Sequence, residues 1–131
     1  MGSFKRVEDM EIWKRGSRLA VDVYKLSQNK EIERDWALCN QIRKSAVSIP
    51  SNIAEGYERD TPAEFAHFLR IAKGSCRELR TQVYIAQALG YFDKETADPV
   101  IAECKEISSM IIVSSITFEN PVSEGPMNEN G

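Results

Sequence analysis

Residues 41–56 read QIRKSAVSIPSNIAEG, and this stretch decides the fold. Together with Leu38 it places small and apolar side chains at spacings of three and four, which is typical of one helix face. These positions are Leu38, Ile42, Ser45, Ile49, Ile53 and Gly56. Pro50 removes the backbone bond to the carbonyl of Ala46 and costs about 3 kcal/mol in a plain helix interior. We therefore predict a helix from about Asp35 to Tyr57 whose packing offsets that cost.

Three other segments show helical periodicity, and no segment shows a convincing strand pattern. The first helix is predicted from about Glu8 to Ser27, and close approach of a neighbouring helix would explain its internal Gly16. The third begins with Thr61-Pro62-Ala63-Glu64, a capping box with proline at the first helical position, and ends near Gly90. The fourth starts at Asp93, or at Asp98 with Pro99 in its first turn.

The connections between these helices are short, which favours antiparallel neighbours. The sequence therefore predicts an all-α protein, an antiparallel up-down-up-down four-helix bundle over residues 1–118. Residues 119–131 lack apolar periodicity and carry acidic side chains, so we expect a disordered tail there.

Composition limits the classes of function. The 131 residues fit one domain, and 17 basic against 20 acidic residues give a net charge of −3, which argues against a generally basic nucleic-acid binder. The charge is uneven, however: residues 1–92 carry +3 (15 basic, 12 acidic) and residues 93–131 carry −6 (2 basic, 8 acidic). Cys39, Cys76 and Cys104 have no metal-like spacing and are predicted to be small core residues in a reducing cytosol. With neither a signal-peptide pattern nor a bilayer-length apolar stretch, we expect a cytoplasmic protein without a membrane partner.

Residues that could carry out chemistry are few. His67 is the single histidine, and the Glu64-x-x-His67 pattern occurs once, whereas di-iron bundles use it from each of two helices. Asn52 and Glu55 lie near Pro50 but have no evident base or oxyanion partner. We predict no metal, no cofactor, no small-molecule substrate and no enzymatic activity; an enzyme acting near Asn52 and Glu55 is a third alternative.

The third helix carries four cations, Arg70, Lys73, Arg77 and Arg80, which we call the basic strip. Their spacings of three, four and three place them within about a quarter of the helix circumference. One interpretation is that Glu78 and the acidic fourth helix neutralise the strip. The other is that the strip binds a phosphate backbone, with Arg43 and Lys44 as additions. No aromatic residue interleaves the strip in sequence, which weakens a single-strand interpretation.

The second and third helices also carry apolar residues outside their main stripes. Aligned apolar residues of this kind favour burial by a partner, so we predict a subunit interface; the alternatives are a wide core stripe or surface scatter. The predicted interface residues are Val47, Pro50, Ala54, Ile71, Ile85 and Leu89.

The stretch at 41–56 resembles the hallmark of the bacterial four-helix bundle proteins encoded in intervening sequences of 23S ribosomal RNA. Other parts agree: Trp13-Lys14, Glu64 to Leu69 leading to Ala72-Lys73-Gly74-Ser75, and Glu78-Leu79 through Leu89-Gly90-Tyr91. The resemblance covers about residues 4–118. Lys44 and Ser45 stand where the family often has arginine and alanine, and Asn29-Lys30 replaces a common Phe-Pro turn.

The family is similar to the accessory variability proteins of diversity-generating retroelements, which form ring-like homopentamers that bind nucleic acid and a polymerase. The resemblance therefore implies a homo-oligomer, as a pentamer, and binding of ribosomal or other structured RNA. The acidic fourth helix and tail depart from the basic retroelement relatives. The alternative function is a protein-interaction scaffold without nucleic-acid binding.

Overall fold

The computed structural model describes residues 6–119, with side chains as far as Ser115. A 3₁₀ turn at Val7–Asp9 is followed by α1 (Glu11–Leu26), α2 (Lys30–Arg34), α3 (Trp36–Tyr57), α4 (Pro62–Ala88) and α5 (Lys94–Glu119). Within residues 6–119 there is no strand, and the four long helices confirm the predicted all-α bundle. The predicted tail lies outside the described residues, apart from Glu119 at the end of α5, so its disorder stays a prediction.

The four long helices pack as a bundle in which α4 lies along both α3 and α5, while α1 contacts the same two helices from the other side. Their inner faces form one apolar core. The largest fully buried side chains come from all four long helices and the short α2: Phe65, Ile32, Ile42, Ile49, Ile53, Leu69, Leu79, Ile107, Ile111, Val23 and Val83. The helical faces predicted from spacing are thus the faces that the structure buries.

Two glycines allow α3 to approach its neighbours closely. A Cβ atom at Gly16 of α1 would lie 3.1 Å from Ile49 Cγ2 and 3.6 Å from Pro50 Cδ. This confirms the close approach predicted at Gly16, and it places the Pro50 ring against α1, where packing offsets part of the lost hydrogen bond. Gly56 lies one residue before the end of α3 at Tyr57, and a Cβ atom there would lie 2.7 Å from Phe68 Cβ of α4.

Side-chain caps fix where the helices begin. Thr61 accepts a hydrogen bond from the Glu64 N–H at 3.1 Å, as the capping box predicts. Asp93 accepts one from the Thr96 N–H at 2.8 Å, so α5 starts at the earlier of the two predicted positions. Gly90, just after α4, has φ of 83°, the left-handed conformation expected of a helix stop.

The short helix α2 was not predicted. Asn29 caps it by accepting from the Ile32 N–H at 3.0 Å, and donates through Nδ2 to the Tyr91 carbonyl at 3.3 Å. Asp35 caps α3 and accepts a hydrogen bond from the Tyr91 hydroxyl at 2.9 Å. Tyr91, in the connection between α4 and α5, therefore contacts the residues on either side of α2, Asn29 and Asp35.

Two polar contacts join the long helices. Between α3 and α4, the hydroxyl oxygens of Ser48 and Ser75 lie 2.7 Å apart, and Asn52 Nδ2 donates to Ser48 Oγ at 2.9 Å. Between α1 and α5, the Arg15 guanidinium donates two hydrogen bonds to the Glu103 carboxylate, at 2.7 and 2.8 Å. This two-bond geometry fixes both direction and position of the paired side chains.

Candidate nucleic-acid interface

The two flanks of α4 face different helices and carry different chemistry. Ser75 bonds Ser48 and therefore lies on the flank towards α3. Cys76 lies towards α5, close enough to Ser108 for that side chain to lower the pKa of the thiol. Lys73 and Arg80 lie one turn before and after Cys76, so this edge of the basic strip is next to α5, while Arg70 and Arg77 lie further round the helix towards solvent.

The strip is about 15 Å long, since ten residues separate its ends at about 1.5 Å each. Arg70 and Arg77 are exposed, whereas Lys73 and Arg80 are half-buried. Among the described side chains, no carboxylate lies within 4.0 Å of the charged groups of Lys73, Arg77 or Arg80. Glu78, on the same helix, does not form an ion pair with any of these three. Three of the four cations are therefore available to an anion.

The described acidic residues of α5 near the strip face the other way. Glu103 is bound to Arg15 of α1, and Glu106 also lies close enough to Arg15 to act on its charge. Asp98 pairs with Lys94 on its own helix. Much of the negative charge of α5 is thus directed at α1 and at α5 itself, although Glu103 also lies close enough to Cys76 and Cys104 to raise the pKa of both thiols.

Two buried thiols, Cys76 of α4 and Cys104 of α5, add no charge at neutral pH. Burial raises the pKa of the Cys76 thiol to about 11 and that of Cys104 to about 12, although nearby Arg80 lowers both somewhat. Both cysteines therefore stay protonated and neutral. They pack beneath the strip as the small core residues that the sequence predicts.

Arg43 and Lys44 do not join the basic strip. The Arg43 guanidinium donates to Ser27 Oγ at 2.8 Å and to the Ser27 carbonyl at 3.1 Å, and lies 5.1 Å from the Tyr24 ring centroid. Lys44 is exposed beside it, in a shallow depression shared with Tyr24 and Val47. Both belong to the surface of α3 near α1, and their predicted part in nucleic-acid binding stays a prediction.

Sequence reasoning missed two residues on the strip's side of the bundle. Lys105 of α5 is exposed and lies one turn before Ser108, the residue that reaches Cys76. Tyr84 follows Arg80 by four residues and is 48% exposed. Tyr84 continues the spacing of the strip, so that signal was present in the sequence. Lys105 becomes relevant only once the rotation of α5 against α4 is known.

The predicted interface residues have mixed exposure. Val47, Ile71, Ile85 and Leu89 are between 39% and 55% exposed, whereas Pro50 and Ala54 are half-buried. Ile71 lies one turn before Ser75 and so borders α3, on the other flank of α4 from the strip. The structure separates an apolar flank of α4 from a basic one.

The remaining candidate residues take part in local contacts. The Glu55 carboxylate lies 3.0 Å from Arg59, and Asn52 donates to the Ser48 carbonyl and hydroxyl. His67 is exposed and its ring lies edge-on to Phe68. No cluster of three or more His, Cys, Asp or Glu side chains suited to a metal ion occurs in the described residues.

A groove of about 720 Å³ lies between α1 and α5, lined by apolar residues such as Leu19 and Val100 and by charged ones such as Arg18 and Glu95.

In the described part of the chain, none of the helices has the length and apolar character that crossing a bilayer requires.

Comparison with known proteins gives a family and a fold. The sequence model of the 23S rRNA-intervening sequence protein family matches residues 8–113. A crystal structure of a protein of unknown function from the S23 ribosomal protein family of Bacteroides thetaiotaomicron is similar, with a TM-score of 0.72 at 23% identity. The similarity covers 78% of this chain and 95% of that one. No curated protein matches the chain.

Proposed function

Because the chain belongs to the 23S rRNA-intervening sequence protein family, we propose that it binds structured RNA through the basic strip, without catalysing a reaction. One observation carries the proposal: Lys73, Arg77 and Arg80 have no carboxylate partner among the described side chains. Lined-up like charges repel by a few tenths of a kcal/mol per pair, and a phosphate backbone would relieve that repulsion.

The family's name connects it with ribosomal RNA, and we propose ribosomal or similarly structured RNA as the ligand. A cytoplasmic location is part of this proposal, and three free cysteines fit a reducing compartment. The relation to accessory variability proteins stays a prediction.

Salt dependence tests the proposal. Lys73, Arg77, Arg80 and Lys105 offer up to four cations, which predicts a slope of log K against log salt of about −2.8 to −3.6. Affinity for 23S ribosomal RNA should therefore fall about 50- to 150-fold between 50 and 200 mM salt, as measured by filter binding.

A variant pair assigns that binding to the strip. Lys73→Glu/Arg77→Glu should weaken binding strongly and make the slope shallower by about 1.4 to 1.8, because two contacts are lost. Lys14→Glu/Lys25→Glu changes the net charge equally on exposed positions of α1 and should have a much smaller effect. Absence of binding at 50 mM salt, or equal losses in the two variants, would refute the proposal and favour the protein-interaction scaffold.

We propose in addition that the chain self-associates, with a pentamer as the expected assembly. The support is the exposed apolar set on α3 and α4: Val47, Ile71, Ile85 and Leu89. Sedimentation at tens of micromolar protein should give a mass of about 74 kDa, five times 14.8 kDa.

Ile71→Glu should dissociate the assembly, while Val21→Glu, at an exposed apolar position of α1 outside the predicted interface, should leave it intact. A wild-type protein that sediments as a monomer would exclude self-association. RNA binding would then be judged separately on the salt titration.

A further inference from the structure

Tyr84 extends the basic strip by an exposed aromatic ring. Arg77, Arg80 and Tyr84 stand at spacings of three and four on α4, so they share one flank of the helix. Arg70 to Tyr84 spans fourteen residues, or about 21 Å. The flank therefore presents a row of cations that ends in a tyrosine.

Tyr84 differs from the other three tyrosines in having no partner among the described residues. Tyr24 lies under the Arg43 guanidinium, Tyr57 packs edge-on against Phe65, and Tyr91 donates its hydroxyl to Asp35. Within residues 6–119, Tyr84 makes no hydrogen bond, ring contact or cation–π contact. A single exposed aromatic residue is ordinary on a surface, so its alignment with the cations is what gives it meaning.

The apolar flank does not account for Tyr84. Ile71 borders α3, whereas Tyr84 follows Arg80 on the flank next to α5. A subunit packed on Ile71 would approach the other side of α4. Tyr84 therefore lies on the same flank of α4 as the cations of the basic strip.

We propose that Tyr84 stacks on an unpaired base of the RNA strand whose phosphates the strip binds. Exposed aromatic rings beside a cationic row provide stacking platforms, because every base has a π-face. A base inside an uninterrupted duplex cannot offer that face, whereas a loop, bulge or free end can. The ligand is thus an RNA with a single-stranded segment, and about 21 Å corresponds to roughly six nucleotides of a strand that keeps the duplex rise of about 3.4 Å each. This inference rests on the proposed RNA binding.

The test compares a 12-nucleotide oligouridylate with a 24-base-pair RNA duplex by fluorescence anisotropy. Tyr84→Ala should weaken binding of the oligouridylate about 5- to 150-fold, the range for loss of one stacked base. Tyr84→Phe keeps the ring and should stay within about twofold of wild type. Tyr84→Leu keeps apolar bulk without the ring and should behave like the alanine variant. Duplex binding should change in none of the three.

The outcomes separate this inference from the proposed function. Oligouridylate binding that depends on Lys73 and Arg77 but is unchanged in Tyr84→Ala would overturn the stacking role alone. Equal losses on the oligouridylate and the duplex would overturn it too. If the wild-type protein binds neither RNA nor 23S ribosomal RNA at low salt, the proposed function fails and the stacking role fails with it. Circular dichroism of each variant confirms that the helices are retained.

Discussion

Replacing Gly56 with alanine is expected to destabilise the protein, although alanine is the better helix former. A Cβ atom there would lie 2.7 Å from Phe68 Cβ, 2.9 Å from Phe65 Cδ1 and 3.2 Å from the Phe65 carbonyl oxygen. Carbon atoms pack best at about 3.5–4.0 Å, so α3 and α4 must separate by nearly an ångström. Phe68 Cβ is attached to the backbone and cannot rotate away. Overpacking costs about 1–3 kcal/mol, and the upper end applies here because Phe68 Cβ and the Phe65 carbonyl oxygen are fixed to the backbone; the helix propensity gained returns at most about 1 kcal/mol.

We therefore expect Gly56→Ala to lose about 2 kcal/mol of unfolding free energy and about 6 to 10 °C in Tm. Gly74→Ala is the matched control, since the nearest atom to its Cβ would be Arg77 Nη2 at 3.9 Å. It should gain about 0.5–1 kcal/mol. Urea denaturation at one fixed protein concentration, followed by circular dichroism, measures both. A Gly56→Ala protein as stable as wild type would refute the packing explanation.

Three more predictions concern stability. Burial raises the pKa of Cys76 from 9.0 to about 11 and that of Cys104 to about 12, so these thiols ionise in the unfolded chain before they ionise in the folded one. The free energy of unfolding, measured by urea titration, should therefore fall as the pH rises from about 9 to 11. A Cys76→Ala/Cys104→Ala variant whose unfolding free energy falls with the same slope against pH would contradict this. Arg15→Met removes the partner of Glu103, so it should cost about 1 kcal/mol of unfolding free energy and reduce the hydrogen-exchange protection of α1, whereas Arg18→Met should change neither. Equal protection of α1 in the two variants would contradict this prediction. Thr61→Ala should cost about 1 kcal/mol by thermal unfolding and Thr61→Ser very little, and equal losses would exclude the cap.

The helices and several of their ends could be predicted because those signals are local. The stripe around Ile49, the cap at Thr61 and the stop at Gly90 each depend on residues within a few positions of one another. The short α2 was missed because its five residues are too few to show a period. The sequence placed Gly56 on the apolar face of α3 but could not show why a side chain is excluded there, because that depends on the packing of α4.

The candidate site was only partly predictable, for a related reason. Spacing alone identified the strip, because Arg70 to Arg80 share one helix face. It could not show that Glu103 turns to Arg15, or that Arg43 is held by Ser27, because those contacts join residues far apart in sequence. The rotation of each helix against its neighbours decides such contacts, and it depends on the whole core.

The hydroxyl pair of Ser48 and Ser75 has a consequence for the vertical alignment of α3 and α4. Apolar stripes that recur every three or four residues mesh almost equally well after a slide of one turn, about 5.4 Å. Such a slide would part the two hydroxyl groups and lose the bond between them, about 0.5–1.5 kcal/mol, while Ser75 Oγ keeps its bond to the Ile71 carbonyl at 3.3 Å. The hydroxyl pair therefore favours one axial alignment of α3 and α4 over the alignments one turn away.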